Sequence, residues 1–489
     1  MVFTASNFLL VGSVLLFVSI IVSKAGSKFG VPTLLLSLIV GMLFGSDGLG
    51  IQFSDVKNAQ FLGMLSLSII LFSGGMDTKL SEVKPVVKQG IALSTIGVIL
   101  MTFITGLFIY LLTKNGKFAF TGSMSLCLLL AATMSSTDSA SVFSILRTQN
   151  IGLRKHLRPM LELESGSNDP MAYMLTIALI QICQSSDVSI LGIAIRLVIQ
   201  FVVGTALGYI LGRVAVWIIN KVNLQNASLY PIILLSIGLF TFSITELARG
   251  NGYLAAYIAG IVIGNRPIVK KRECAKFLDG LTWLCQIMMF VTLGLLVNPH
   301  ELIDVAFIAS LIAIFMIFVA RPISVLVTLL PFKKPDYKAR GFASWVGLRG
   351  AAPIIFATYP VVADITEANL IFNIVFFITI LSLLIQGTTI PAMAKLFDMT
   401  RKVPKEGNDF GIELPEEIDS RLWDIKVSEE MLIHGNQLKD MNLPKGILVI
   451  MIKRDNDYIV PNGTLEILSG DTLLLIAQSD AKEDHILQQ

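Results

Sequence analysis

Up to about residue 398, the chain is a succession of apolar stretches, each long enough to form a helix across a lipid bilayer. The whole chain is 54% hydrophobic and 15% charged, whereas soluble domains carry about 25% charged residues. We expect thirteen transmembrane helices, which begin near Asn7, Val31, Gln60, Gln89, Phe120, Leu157, Val188, Ala227, Gly252, Gly280, Glu301, Phe342 and Ile371. The sequence therefore predicts an all-α polytopic membrane protein that is followed by a small soluble domain.

The loops between these stretches alternate in charge. Twenty Lys and Arg residues lie in every second loop, in the groups 24–28, 79–88, 147–158, 213–221, 266–276 and 333–340. The other loops hold only Lys57, Lys114, Lys117 and Arg249. Because loops rich in Lys and Arg stay in the cytoplasm, we expect the N-terminus outside the bacterial inner membrane and the C-terminal domain inside. The end of the helices that carries the basic loops is called the basic side below.

The composition changes after the last apolar stretch. Residues 399–489 hold 17 acidic and 10 basic residues, hence a net charge of −7. Short apolar runs at 447–452 and 472–476 are separated by turn sequences, which indicates β-strands. We expect a transmembrane domain over residues 1–398, a linker over 399–415 and a small cytoplasmic α+β domain over 416–489.

The sixth apolar stretch contains acidic residues near its centre. An Asp at the centre of a membrane helix costs roughly 2.5–3.5 kcal/mol, and such residues mark ion or proton pathways. In a helix, Ser165 and Asp169 share one face, and Glu164 and Asn168 share the adjacent face. All four side chains offer oxygen atoms, the ligands that hard cations prefer. The sequence therefore predicts an ion-binding site here.

Two other apolar stretches are interrupted. Six of the seven residues 135–141, including Asp138, are polar, and residues 347–353 place two glycines and a proline around Arg349. Such backbone is tolerated in a membrane only inside protein or beside a cavity. The interruptions lie seven stretches apart, as in two inverted six-helix repeats whose broken helices cross. The buried charge of Arg349 needs a counter-charge, and Glu164 is the first choice.

Several polar residues have a simpler interpretation. Serines in membrane helices often hydrogen-bond to neighbouring helices. This interpretation applies to Ser135, Ser136, Ser139 and Ser141. Glu164 is either a cation ligand or one half of a structural ion pair. Arg321 lies deep in the eleventh stretch, and the sequence does not decide between a structural pair and a role in transport.

These motifs resemble the monovalent cation–proton antiporter superfamily, in particular its electroneutral sodium/potassium–proton exchanger branch. The matching residues are Thr137-Asp138, Glu164-Ser165, Asn168-Asp169 and 347–350, with lesser matches at 71–75, 252–256 and 264–265. The matches extend in order over nearly the whole membrane part. The C-terminal part resembles the C-terminal half of the regulator-of-potassium-conductance (RCK, TrkA C-terminal type) module at 435–438, 449–454 and 469–471.

The resemblance implies roles for individual residues. Asp169 is expected to bind the cation or the proton. Asn168 stands where electrogenic relatives have Asp, which implies one-for-one exchange. The other expected cation ligands are Asp138, Ser165, Glu164 and the backbone of Thr137. Glu164 is also expected to pair with Arg349. Ser73 stands where many relatives have an acidic residue, so no role is carried over to the third stretch.

The resemblance also implies a homodimer. For the RCK-like part, a cyclic dinucleotide such as cyclic-di-AMP is one candidate effector. No GxGxxG fingerprint occurs in the chain, so NAD binding is not supported and no cofactor is expected. Nucleic-acid binding is not expected, because the basic residues lie at helix ends and form no single patch.

The predicted function is secondary antiport, in which Asp169 holds either a monovalent cation or a proton but never both. The RCK-like domain favours potassium. A sodium–proton antiporter with the same mechanism is the first alternative. A potassium channel with a cytoplasmic gating module is the second, although the filter sequence TVGYG is absent. A sodium-coupled symporter and an intramembrane hydrolase fit less well, and we expect no enzyme activity, because no histidine or zinc motif lies in an apolar stretch.

Overall fold

The computed structural model divides the chain into two compact units, Met1–Arg401 and Lys402–Gln489. The residues it describes are 5–27, 32–51, 53, 55–114, 120, 122–149, 151–185, 189–402, 410, 420–432, 436–440, 446–455 and 457–478. Most of the expected linker, at 403–409 and 411–415, lies outside these residues. The same applies to Val31 and Val188 at the start of two expected helices, and to Gly435 in the RCK-like motif.

The first unit consists almost entirely of helices. They are α1 (Ala5–Ser27), α2 (Thr33–Phe44), α3 (Val56–Asp77), α4 (Leu80–Val83), α5 (Val87–Ala92), α6 (Val98–Thr113), α7 (Met124–Thr133), α8 (Ser139–Thr148), α9 (Leu157–Gln184), α10 (Ile190–Lys221), α11 (Leu229–Leu247), α12 (Gly252–Gly264), α13 (Lys271–Leu296), α14 (Pro299–Phe315), α15 (Arg321–Leu329), α16 (Tyr337–Trp345), α17 (Ala351–Val362) and α18 (Ala368–Leu396). Two π-helical segments, Leu93–Gly97 and Met316–Ala320, join α5 to α6 and α14 to α15. The short strands β1 (Ile151–Leu153) and β2 (Thr400–Lys402) lie before α9 and after α18.

Each expected transmembrane stretch coincides with one helix or with a run of consecutive helices, in the expected order. Among the described residues, seven helical segments are long and apolar enough to cross a membrane by length and composition, and five more apolar helices are shorter. The predicted all-α polytopic fold is therefore confirmed for the first unit. The count of thirteen crossings and the inverted repeat stay predictions.

The helices of this unit pack as two bundles. The first contains α1–α3 and α10–α13, and the second contains α4–α9 and α14–α18. Within the first bundle, α3 and α12 approach backbone to backbone, because a side chain at Gly260 or Gly264 would overlap a carbonyl oxygen of Phe72 or Met76. Small residues permit this approach in a membrane, where close van der Waals packing holds helices together. The bundles meet where α17 packs on α3 and where α9 packs on α12.

Both interruptions that the sequence predicts are present in the second bundle. One nonhelical segment separates α7 from α8, and the other separates α16 from α17. The two segments touch, since the backbone N–H of Asp138 donates to the carbonyl of Leu348 at 2.8 Å. This contact satisfies backbone groups that the broken helices leave unpaired. Two broken helices therefore meet at their interruptions inside the protein.

The second unit contains a four-stranded antiparallel sheet in the order β3-β6-β4-β5. Its strands are β3 (Ser420–Lys426), β4 (Ile447–Arg454), β5 (Asp457–Ile459) and β6 (Thr472–Gln478). Val449, Ile452, Leu473 and Leu475 form the centre of its core. In the part of this unit that the structure describes, the helical elements are short 3-10 turns at Glu429–Leu432 and Leu438–Asp440. The described part is thus a β domain, and the α-helices of the expected α+β domain are not seen there.

Candidate functional site

Asp169 lies near the middle of α9, where α9 faces the interruption between α7 and α8. Its side chain is buried, with 9% of the residue exposed. The hydroxyl of Ser136 donates to one carboxylate oxygen of Asp169, and the carbonyl of Ser136 accepts from the guanidinium of Arg349. Ser136, on one broken helix, thus links Asp169 to the guanidinium of Arg349 on the other broken helix. Ser136 therefore has more than the packing role that its sequence suggests.

Asp138 is the N-cap residue of the half-helix α8. Its carboxylate caps that helix by accepting from the N–H of Ser141 at 3.1 Å and from the hydroxyl of Ser141 at 2.5 Å. A Cβ atom at Gly350 would lie 2.5 Å from a carboxylate oxygen of Asp138, so the crossing needs glycine there. The hydrogen-bonding capacity of Asp138 is therefore largely used within the crossing.

Ser165, Thr137 and Asn168 form a hydrogen-bonded group beside the two carboxylates. The hydroxyl of Ser165 donates to the carbonyl of Thr137 at 2.9 Å and accepts from the N–H of Ser139 at 3.0 Å. The amide of Asn168 donates to the hydroxyl of Thr137 at 2.6 Å. The amide oxygen of Asn168 is buried and has no hydrogen-bond partner. Asn168 thus holds the interrupted backbone in place and leaves one oxygen free.

Glu164 does not form the ion pair that the sequence suggests. Its carboxylate lies 2.6 Å from Nη1 of Arg321, and both side chains are almost fully buried, at 1% and 4% exposed. Arg349 instead contacts Ser136 and lies 3.2 Å from the sulfur of Met101. The expected pair of Glu164 with Arg349 was therefore wrong, and Arg321 takes its place.

The reason lies in local backbone geometry that spacing does not reveal. The π-helical turn before Arg321 shifts the helix register, so Arg321 points into the protein, where it also donates to the carbonyl of Ala343. A Cβ atom at Gly347 would lie 3.2 Å from the side chain of Arg321, so this glycine leaves room for it. Two arginines therefore approach the crossing, and only the fold selects the partner of Glu164.

A cavity of about 430 Å³ connects this region with the basic side. Asp169, Asp138 and Ser165 line one part of it, whereas Glu164 does not line it. The other part is lined by charged residues in the basic-side halves of four helices, namely Asp77, Arg147, Arg158, Glu162 and Asp279. Sequence reasoning missed Asp77, Glu162 and Asp279, because their positions beside basic loops are typical of solvated helix ends. Asp169 is thus reachable from the basic side.

Aromatic rings fill the space on the other side of Asp169. Tyr173 lies one turn beyond Asp169 on α9, away from the basic side. Its ring centroid is 5.0 Å from that of Tyr253 and 5.4 Å from that of Tyr359. Tyr253 is fully buried and packs against Phe242 at 5.0 Å. These rings separate Asp169 from the end of the helices opposite the basic side.

One glycine brings α9 against the first bundle at the level of the site. A side chain at Gly166 would overlap the ring of Tyr257 on α12. The hydroxyl of Tyr257 lies 3.5 Å from that of Thr78, at the end of α3. Gly166 therefore allows α9 to pack against Tyr257 at the level of the site.

The ligands that this site offers are oxygen atoms. It offers the carboxylate of Asp169 together with neutral hydroxyl and carbonyl oxygens. Among the described residues, no group of three or more His, Cys, Asp or Glu side chains could hold a metal ion. One carboxylate with neutral oxygens suits a hard monovalent cation or a proton better than a tightly held transition metal.

Each of the two units matches a known protein family. Residues 13–396 match the family model described as "Sodium/hydrogen exchanger, transmembrane". Residues 424–483 match the TrkA-C domain.

Two relatives match along nearly the whole chain. One, named "K(+)/H(+) antiporter NhaP2", from Shewanella sp. (strain MR-4), is 36% identical over 484 residues, which are 98% of this chain and 82% of the relative. Another, named "K(+)/H(+) antiporter NhaP", from Alkalimonas amylolytica, is 36% identical over 96% of this chain and 81% of the relative.

The fold also matches a solved structure. The sodium proton antiporter MjNhaP1 from Methanocaldococcus jannaschii superposes with a TM-score of 0.66 at 22% identity, over 77% of this chain and 97% of that chain. At this identity the match supports the fold alone.

Proposed function

The chain belongs to the sodium/hydrogen exchanger transmembrane family, and we propose that it exchanges potassium ions for protons by competition for Asp169. Potassium is favoured because the relatives matched along nearly the whole chain carry the name of K(+)/H(+) antiporters. The TrkA-C match, which corresponds to the RCK-like part, points the same way. The observation that carries the mechanism is the position of Asp169, at the inner part of a cavity that extends to charged residues on the basic side.

Competition follows from the small number of groups at the site. A potassium ion that binds the carboxylate of Asp169 occupies the oxygen atoms that a proton would need. Ser165 and the backbone near Thr137 offer neutral oxygens that replace part of the hydration shell of the ion. Asp138 adds a nearby charge although its oxygens already cap α8. Either ion neutralises Asp169, and the two cannot be bound together.

The charged groups at the site also support the exchange of one cation for one proton. Glu164 is held by Arg321, and Asp138 is held by Ser141. Asn168 is an uncharged amide. Asp169 is then the carboxylate at this site that gains and loses a proton in each cycle. Transport in proteoliposomes should therefore continue at the same rate when a permeant anion such as thiocyanate collapses the membrane potential.

Exchange requires that the loaded site face each side of the membrane in turn. We infer that the second bundle moves against the first, because the site residues belong to the second bundle. An empty, charged Asp169 is costly to carry through an apolar environment, so only the loaded forms cross. The rings of Tyr173, Tyr253 and Tyr359 must then separate when the site opens to the opposite side.

The test is dequenching of a pH-sensitive dye in everted vesicles after potassium or sodium is added. Asp169→Asn should abolish the response while the protein is still produced and folded. Asp304→Asn is a matched control, because Asp304 is an exposed carboxylate on α14 that does not line the cavity. A potassium response that persists in Asp169→Asn would refute the assignment.

Sodium is the second candidate cation. A relative named "Probable Na(+)/H(+) antiporter 2", from Methanocaldococcus jannaschii, is 28% identical over 69% of this chain. A response to sodium alone would keep the mechanism and change the substrate. Unitary currents in a planar bilayer would instead support a channel.

The proposal also covers the orientation, the oligomeric state and the regulation of the transporter. We propose that the N-terminus lies outside the bacterial inner membrane and the C-terminal domain in the cytoplasm, since this orientation follows the basic loops. We also propose a homodimer, in which the C-terminal domain regulates transport by binding a ligand such as cyclic-di-AMP. Cysteine accessibility, the mass of the purified protein, and transport with and without cyclic-di-AMP test these three statements.

A further inference from the structure

A cluster of cations lies away from the transport site, on the basic side of the first bundle. Arg213 and Lys221 on α10, and Arg266 just after α12, line one pocket together with Trp217 and Asn220. The pocket has a volume of about 510 Å³. It thus combines three positive charges and one large aromatic ring at the expected level of the membrane surface.

The geometry of α10 arranges these groups in a stripe. Arg213, Trp217 and Lys221 are four residues apart, so they share one face of the helix. The stripe spans about 12 Å along the helix, from eight residues at 1.5 Å each. The ammonium group of Lys221 lies 4.8 Å from the centroid of the Trp217 ring. The stripe therefore reaches from the membrane surface into the apolar region.

Asn220 holds the loop that carries Arg266 against α10. Its amide donates to the carbonyl of Pro267 at 2.9 Å, and its oxygen accepts from the N–H of Val269 at 3.0 Å. Two hydrogen bonds thus fix the segment next to Arg266. The third cation is therefore positioned by the fold and is not merely part of a loose loop.

The three cations lack a carboxylate partner among the described residues. In the part of the chain that the structure describes, none of Arg213, Lys221 and Arg266 forms an ion pair with a carboxylate. Three like charges around one pocket repel each other unless an anion lies between them. The site therefore fits an anion with more than one acceptor oxygen, such as a phosphate group.

The apolar surface beside the pocket indicates which class of phosphate compound fits. Ile210, Val214 and Trp217 are exposed along α10, with Ile210 at 53% and Trp217 at 61%. This apolar surface continues from the cations toward the centre of the bilayer. We propose that the pocket binds the phosphate of an anionic phospholipid, whose acyl chains lie along α10. Basic pockets between helices on the cytoplasmic side are typical sites for such head groups.

Trp217 provides a built-in reporter for the test. The full-length protein in mixed micelles is titrated with brominated phosphatidylglycerol or brominated phosphatidylcholine, and quenching of tryptophan fluorescence is recorded. The expected result is a preference for phosphatidylglycerol that disappears in Trp217→Phe. The triple variant Arg213→Gln, Lys221→Gln, Arg266→Gln should lower that preference at least about fivefold, the factor expected for even one cation near an anionic surface.

The matched control is a second triple variant, Lys333→Gln, Lys334→Gln, Lys338→Gln. It removes the same charge from exposed positions on the same side of the molecule, and the preference should be unchanged. Equal losses in both variants would overturn the proposal, because they would reflect overall charge. A competition experiment with inorganic phosphate separates a lipid from a free anion. If phosphate alone displaces phosphatidylglycerol completely at millimolar concentration, the site binds a free anion and the lipid assignment is wrong.

Discussion

The buried pair of Glu164 and Arg321 leads to a quantitative prediction. Removing one partner of a buried ion pair typically destabilises a protein by about 3–5 kcal/mol, because the other charge is left without a partner. Both side chains are almost fully buried and 2.6 Å apart, so this range applies. Glu164→Gln and Arg321→Met should each lower the free energy of unfolding by that amount. The double variant should recover about 3 kcal/mol of the summed loss, since neither charge is then stranded.

A second double-mutant cycle, with Arg349 in place of Arg321, is the control for this experiment. It is buried near the same crossing, but it donates to the carbonyl of Ser136. Combining Glu164→Gln with Arg349→Met should therefore recover much less stability than combining it with Arg321→Met. The free energy of unfolding is measured for all single and double variants by denaturation in mixed detergent micelles. A larger coupling of Glu164 with Arg349 than with Arg321 would contradict the assigned pair.

Two further predictions concern packing and the C-terminal unit. Gly166→Ala should abolish transport, because the new methyl group would overlap Tyr257. Gly280→Ala should be tolerated in the same vesicle assay, because nothing lies within 4 Å of that position and Gly280 does not line the cavity. Arg454→Gln should destabilise the C-terminal unit by about 1.5–3 kcal/mol, since Arg454 bonds twice to Asp471, at 2.9 and 2.7 Å, and holds the pKa of Asp471 below its usual range. The full destabilisation should be present above about pH 4. It should shrink as the pH falls through the folded-state pKa of Asp471, which lies below the unfolded-state pKa. Limited proteolysis of the full-length protein follows this change.

Much of the site could be predicted because charge inside an apolar stretch is costly. Asp169, Asp138 and Arg349 stand out for that reason alone, and the structure places all three at one crossing of broken helices. The interruptions themselves could be predicted, because clustered serines and glycines disfavour a continuous helix. These features depend on local composition, which a single sequence displays directly.

The remaining features depend on three-dimensional geometry. The sequence favours Arg349 as the partner of Glu164, whereas the structure pairs Glu164 with Arg321, which follows a π-helical turn. Ser136 is one of several serines, and only the fold shows that it connects Arg349 with Asp169. The cluster around Tyr253 unites residues from α9, α11, α12 and α17 that no local pattern links.

Competition at Asp169 is the central claim, and its most direct test is the kinetics of potassium-driven proton exchange in proteoliposomes at a series of pH values. If both ions bind the same carboxylate, the potassium concentration for half-maximal rate should rise as the pH falls. The maximal rate at saturating potassium should then stay the same. A maximal rate that falls with pH while the half-saturating concentration is constant would place cation and proton on separate groups, and would contradict the account.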